Sequence, residues 1–337
     1  MKFLEWLLGS REAVCGGKDR LQKAVARVIA GTDPRLGLID DAPRRLCPAV
    51  THALDYADRV AASLPACIET TPAAWGGSPV LRAMFVRPTE VGEMLTHSLD
   101  LHDFLSSPAA AGLERLYCVV AATRTEQTVL GLALEGERVR QDVQQTTVSF
   151  ESFRLFGFAS SEQGLRGRIA EIVLEGLVLA ALREVAARQQ QGDRLAFARR
   201  LLSGRLALME RSRAGLDAME CGSYRGRDIA RLRTELAANE AELNALQPAG
   251  GSLETILAGV IETLQSAETV IRAEMLSLWL DRMNILTRPG QADASPIPLL
   301  EFSAATSGRR RVAFLASFPR ESVVERKLDL EAGLRML

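Results

Sequence analysis

Three histidines are the residues of this chain best suited to metal or acid–base chemistry: His52, His97 and His102. Imidazole suits a divalent transition metal, and carboxylates beside it suit a hydrolytic one. His52 lies in Thr51–Asp58 (T-H-A-L-D-Y-A-D), and His97 and His102 lie in Thr96–Asp103 (T-H-S-L-D-L-H-D). The two octapeptides agree at five positions: the Thr, the first His, the Leu and both Asp. Their flanks do not extend the match, and two amphipathic helices with similar caps produce the same pattern. No repeat architecture is inferred from it.

A His followed later by the pair His102-Asp103 is similar to the H…HD…D pattern of metal phosphohydrolases of the HD type. That likeness implies a hydrolytic divalent metal held by His52, His102 and Asp103. The context departs from the pattern. Strand-type sequence replaces helix within about 15 residues of Asp103, and no later Asp sits in a comparable setting. The expectation is that His97 and His102 are surface or capping residues of an amphipathic helix, with Asp100 and Asp103 facing solvent. No catalytic, metal or cofactor residue is assigned.

Other chemistry-bearing motifs fail on their own residues. Before Gly17-Lys18 a phosphate loop needs a Gly where Glu12 stands, and after it a Ser or Thr where Asp19 stands. Gly76-Gly77-Ser78-Pro79-Val80 lacks the second Gly of a nucleophile elbow. There is no G-x-G-x-x-G and no H-E-x-x-H. The five cysteines (Cys15, Cys47, Cys67, Cys118, Cys221) are odd in number and contain no C-x-x-C pair. This spacing excludes a paired-cysteine zinc site and fits reduced thiols of a cytosolic protein.

Charge narrows the partners. The chain has 337 residues with 41 Lys+Arg against 42 Asp+Glu, a net charge of -1. It has no global attraction to nucleic acid or acidic membranes. Only Lys2, Lys18, Lys23 and Lys327 are lysines, which leaves 37 Arg spread over nearly every helix, the mark of a GC-rich coding bias. Two groups stand out, Arg309–Arg311 and Arg225, Arg227, Arg231 and Arg233. Clustered Arg grips phosphate. Here Asp228 and Glu235 dilute the second group, and few aromatics interleave, so a solvated face is expected. Arg138–Thr147 is expected to be an exposed sheet edge kept unsticky by charge.

Hydrophobic residues at 47% and charged residues at 25% exclude a disordered, collagen-like or disulfide-scaffold chain. Met1–Gly9 is apolar, but Glu5 interrupts it and Arg11-Glu12 follows, so it is expected to dock on the protein's own core. No run reaches the ~18 uncharged apolar residues of a spanning helix. The nearest, Ile169–Ala187, carries Glu171, Glu175, Arg183 and Glu184.

The elements follow from periodicity. Residues 1–115 read as a region of short helices: Lys18–Ala30, Pro48–Ser63, and one from Pro88, capped by Thr89, to about Phe104. Residues 116–160 read as an antiparallel meander. Its runs are Tyr117–Thr123, Thr128–Glu135, Arg138–Val143, Thr146–Phe150 and Phe153–Phe158, with turns at Arg124–Gln127 and Gly136-Glu137. Residues 161–288 read as a long-helix bundle or coiled-coil arm. The first helix carries Leu165, Ile169, Ile172, Gly176, Leu179 and Val185 and breaks at Gln189–Gly192. The second carries Leu195, Leu202, Leu206 and Met209. The third has a seam of Ile229, Leu232, Leu236, Asn239, Leu243 and Leu246, with Asn239 setting register. The last runs from Ser252 towards Leu286. In residues 289–337, Leu299–Thr306 and Arg311–Phe318 form a hairpin around Ser307-Gly308, expected to join the central sheet, and Glu321–Leu334 looks helical.

The fold class expected is α+β, predominantly helical. No family of known activity is recognised. The function expected is that of a non-enzymatic interaction or scaffold protein of the bacterial cytoplasm. It would act through long amphipathic helices on a protein partner or a second copy, with no cofactor and no transmembrane segment. Two alternatives stand beside it: a metal-dependent hydrolase or nucleotide-binding regulator using His52, His102 and Asp103, and nucleic-acid binding through the Arg clusters.

Overall fold

Proline and serine punctuate the chain before its first long strand. In the computed structural model, residues 17–135, 138–216, 222–246, 251–291, 294–304 and 310–323 are described. Helix α1 (Gly17–Thr32) closes as the Thr32 hydroxyl donates back to the Val28 carbonyl at 2.7 Å. A 3-10 turn at Pro34–Leu38 follows, capped by the Asp33 carboxylate, which accepts from the Arg35 amide at 3.0 Å. Arg35 holds that carboxyl below its usual range through a side-chain hydrogen bond. Helix α2 (Ala42–Ser63) contains Pro48 in its interior, so it starts earlier than a proline-led reading places it.

A two-residue strand β1 (Ile68–Glu69) precedes three short helices, α3 (Pro79–Met84), α4 (Pro88–His97) and α5 (Leu99–Leu105). Two expectations are corrected here. Arg87, not Thr89, occupies the cap position, because Pro88 takes the first helical position, where its missing N–H costs nothing. The single helix to Phe104 is two, divided at Ser98, whose hydroxyl accepts from the Leu101 amide at 3.3 Å.

The meander of short strands is also corrected. Two long strands, β2 (Arg115–Glu135) and β3 (Arg138–Ala159), pair antiparallel instead, and the expected turn at Gly136-Glu137 lies outside the described residues. The Arg124–Gln127 stretch pairs with Phe150–Thr147 instead of turning. It holds no Gly, Pro, Asn or Asp, the residues that make a turn cheap. Register shifts between Tyr117 and Val119, Ala121 and Thr123, and Gly131 and Ala133 absorb the irregularity, as bulges do.

Helix α6 (Glu162–Leu216) then runs unbroken, with the Ser161 hydroxyl accepting from the Gly164 amide at 3.1 Å near its start. The expected break at Gln189–Gly192 is absent; one interior Gly costs a helix only about 1 kcal/mol against Ala. Helices α7 (Gly222–Leu246) and α8 (Gly251–Gln265) follow, and then the short α9 (Ala267–Val270). The helix expected to reach Leu286 ends there. Residues 271–280 are strand β4 (Ile271–Leu280), paired antiparallel along ten positions with β5 (Ser295–Ala304). Helical spacing and strand alternation compete in I-R-A-E-M-L-S-L-W-L, and the neighbouring strand decides. Strand β6 (Arg310–Pro319) completes the sheet in the order β3-β2-β6-β5-β4, with β1 pairing parallel to β6. Helix makes up 60% of the described residues and strand 26%, which establishes an α+β fold rich in helix. The Met1–Gly9 segment, the Ser307-Gly308 turn and nearly all of the expected terminal helix lie outside the described residues.

Contacts divide the chain into two units, Met1–Ala53 with Leu177–Ser266, and Leu54–Gly176 with Ala267–Leu337. Two of the three borders fall inside continuous helices, α2 and α6. In the first unit Val28, Leu36, Leu46, Leu177, Leu257 and Leu264 are fully buried. A Cβ on Gly31 would lie 2.6 Å from Val178 Cγ1, so glycine permits the close approach of α1 to α6. The seam of α7 is consumed within this unit, with Ile229, Leu232 and Leu243 only 5–7% exposed. Asn239, at a position of that seam, has a buried Oδ1 with no hydrogen-bond partner. Asn239→Leu is therefore expected to raise the unfolding free energy by about 1 kcal/mol, read as a higher urea midpoint.

In the second unit one face of the sheet carries the core. Leu116, Val120, Val312, Phe314 and Phe318 cluster there with Leu81, Phe85, Leu95 and Leu101 from α3–α5. Phe85 stacks on Phe153 with centroids 4.6 Å apart. The other face meets the second half of α2 and the start of α6.

Candidate functional site

The histidines do not assemble. His52 belongs to the first unit, and His102 and Asp103 to the second. The His102 ring shares a hydrogen bond with the Thr96 carbonyl through Nε2 at 2.7 Å, which ties α5 back to the end of α4. Among the described residues no three His, Cys, Asp or Glu side chains are grouped to hold a metal. Two of the thiols are poor nucleophiles: burial pushes the Cys67 thiol up to about 12, and burial raises Cys118 as well. Cys15 and Cys221 lie outside the described residues.

In the group of Arg225, Arg227, Arg231 and Arg233, the side chains of Arg225 and Arg227 lie outside the described residues. Arg231 pairs with Glu235 at 2.9 Å and Arg233 with Glu210 at 2.7 Å. Arg309 lies outside the described residues, Arg310 is exposed and Arg311 is half-buried. The polar edge of β3 is partly covered, since the Val148 amide donates to the Asn284 carbonyl and the Leu286 amide to Thr146, both at 2.8 Å.

Two further features stand out. The first is a cleft of about 480 Å³ in the second unit, between the sheet face opposite the core and the helices α2 and α6. Val60 reaches it from α2 and Leu64 from just beyond that helix, Ile172 and Val173 from α6, and Leu300 and Phe302 from β5. Small residues make the room: Ala273 and Ala313 on the sheet and Gly176 on α6, where a Cβ would fall 2.9 Å from Ile271 Cδ1. One charged side chain enters it, Arg311. Nearby, the Tyr56 hydroxyl donates to the Ile271 carbonyl, and Arg59 pairs with Glu268 at 2.7 Å.

The second is a strip along α6 in the first unit. Leu179, Phe197, Leu201 and Leu208 are 46%, 66%, 64% and 64% exposed. Their separations of eighteen, four and seven residues are close to whole turns, so they share one face over about 44 Å. No family model, curated protein or solved structure matches the chain. No helix among the described residues is long and apolar enough to cross a membrane.

Sequence periodicity missed the strip because α6 is apolar on two sides. Leu195, Leu202, Leu206 and Met209 are half-buried on one side, and Phe197, Leu201 and Leu208 stand on the other. A second apolar face left exposed on a helix marks a surface for a partner.

Proposed function

We propose that this chain is a non-enzymatic interaction or scaffold protein of the bacterial cytoplasm, acting through its long helices. The carrying observation is the exposed strip Leu179–Phe197–Leu201–Leu208 on α6. Phe197, Leu201 and Leu208 stand together over about 17 Å of it, and exposed large apolar groups gathered on one face mark interaction surfaces. The occupant is a helix laid along the strip, in the manner of helix-in-groove recognition. A second copy of the chain is the expected source, because symmetric dimers are the commonest assemblies. In this reading α6 and α7 act as a coiled-coil-like hairpin, with the α7 seam closing it from within and the α6 strip turned outward.

Light scattering on the full chain tests this. The wild type is expected to be a dimer at micromolar concentration. The double substitution Leu201→Asp, Leu208→Asp is expected to leave a folded monomer, since each charge would be desolvated in the interface. A strictly monomeric wild type, or a double variant that stays dimeric, would overturn the proposal.

A further inference from the structure

We infer that the cleft between the sheet and helices α2 and α6 is a binding site for an apolar carboxylate of fatty-acid type. Its volume of about 480 Å³ lies within the range of small-molecule sites, roughly 300–1,000 Å³. The walls are almost wholly aliphatic or aromatic, so the body of the ligand must be apolar. The head is specified by Arg311.

Arg311 sits on β6 between Thr123 of β2 and Phe302 of β5 in register, half-buried and facing the cleft. Among the described residues its side chain makes no hydrogen bond or ion pair. Glu151, in register two strands away across Thr123, does not pair with it. The contrast with Arg124 is direct. Arg124 also belongs to the sheet, with its side chain 11% exposed, and Glu301 at 2.8 Å and Glu126 both hold it. A guanidinium withdrawn from water needs such a partner. At the cleft no described residue supplies one, and a carboxylate matches the planar fork of Arg with two parallel hydrogen bonds. Apolar walls with one oriented cation select a molecule with one anionic end and an uncharged tail.

Calorimetric titration of the full chain with dodecanoate, below its micelle concentration, tests the site. Saturable one-to-one binding is expected, and about tenfold or more weaker binding of dodecanol and of dodecyltrimethylammonium. Arg311→Gln is expected to weaken dodecanoate about tenfold or more while leaving dodecanol unchanged, and Arg311→Lys to recover part of the loss. Val173→Phe, which fills the cleft, is expected to abolish binding of both, with circular dichroism confirming the fold. Should Val173→Phe fail to fold, the Arg311→Gln comparison decides alone. Absence of saturable dodecanoate binding, equal affinity for the cationic analogue, or an unchanged affinity in Arg311→Gln would each overturn the assignment.

Discussion

Replacing Phe314 by alanine is expected to lower the unfolding free energy by about 3–5 kcal/mol. Phe314 is 1% exposed at the middle of β6, the strand that pairs with β1, β2 and β5. Its ring belongs to the cluster that joins Val120, Val312 and Phe318 to Leu81, Phe85 and Leu95. Truncation removes the transfer free energy of the ring and leaves a cavity. Strands paired on both sides of β6 cannot close in to fill it, which places the cost high in the usual range. Domains of this kind hold only about 5–15 kcal/mol in total, so the second unit should be largely unfolded at modest urea. The measurement is the urea midpoint by circular dichroism, with an unchanged slope showing that stability alone has moved. Arg310→Ala, exposed on the same strand, is the control and should shift stability by no more than about 0.5 kcal/mol. A cost for Phe314→Ala near that of the control would mean that this sheet face is not the core.

The sequence displayed the α+β class because two periods alternate along it. Tyr117–Thr123 and Arg311–Phe318 are dense in strand formers, and strands β2 and β6 occupy them. Leu165, Ile169 and Ile172 carry the helical spacing, and α6 follows it. Boundaries were less legible, for identifiable reasons. Arg124–Gln127 looks polar enough to turn, yet it has none of the residues that lower the cost of a turn, so pairing with β3 prevails. Gly192 is a weak breaker when the helix around it is long. Ile271–Leu280 satisfies both periods at once, and only the presence of β5 beside it selects the strand. Such non-local choices are invisible to a window of a dozen residues.

The candidate sites were legible to different degrees. Arg311 was visible as part of an Arg triplet, but its role depends on the sheet. Alternation along β6 sends Arg311 and Ala313 to the cleft side, and Val312 and Phe314 to the core side. Nothing in R-R-R-V-A-F distinguishes the three cations until the register with Thr123 and Phe302 is known. The His52, His102 and Asp103 reading had the opposite weakness. It rested on residue types alone, and the fold puts His52 in a different unit from the other two. The α7 seam shows a third kind of limit. Its spacing was real, but spacing cannot say whether a seam meets another chain or its own, and burial of Ile229, Leu232 and Leu243 within one chain answers that.

Arg166→Met is expected to cost about 2–4 kcal/mol, more than any surface ion pair of this protein, because Arg166 closes the end of a helix. Helix α2 stops at Ser63 and leaves its last carbonyls without intrahelical donors. The Arg166 guanidinium, projecting from the first turns of α6, donates to Ala61 at 2.7 Å, Leu64 at 3.0 Å and Pro65 at 3.1 Å. It also donates to Glu162 at 2.8 Å. Met keeps the length of the stem and removes all four contacts. Lys, with one compact head, should restore less than half of the loss, since it cannot span three carbonyls and a carboxylate together. The same cluster makes a pH prediction. Hydrogen bonding to Arg166 holds the Glu162 carboxyl below the usual glutamate range, and the Cys67 amide assists at 3.3 Å. A depressed carboxyl contributes stability above its unfolded-state value of about 4.3, and that contribution is lost as pH falls through the lower folded-state value. Glu162→Gln should therefore flatten the loss of stability between about pH 5 and about pH 3 relative to wild type. Asp33, depressed in the same direction by Arg35, keeps part of the acid dependence in the variant. If wild type and Glu162→Gln lose stability in parallel over that range, Glu162 is not the titrating partner of Arg166, and the helix-capping cluster would owe its strength to the three carbonyls alone.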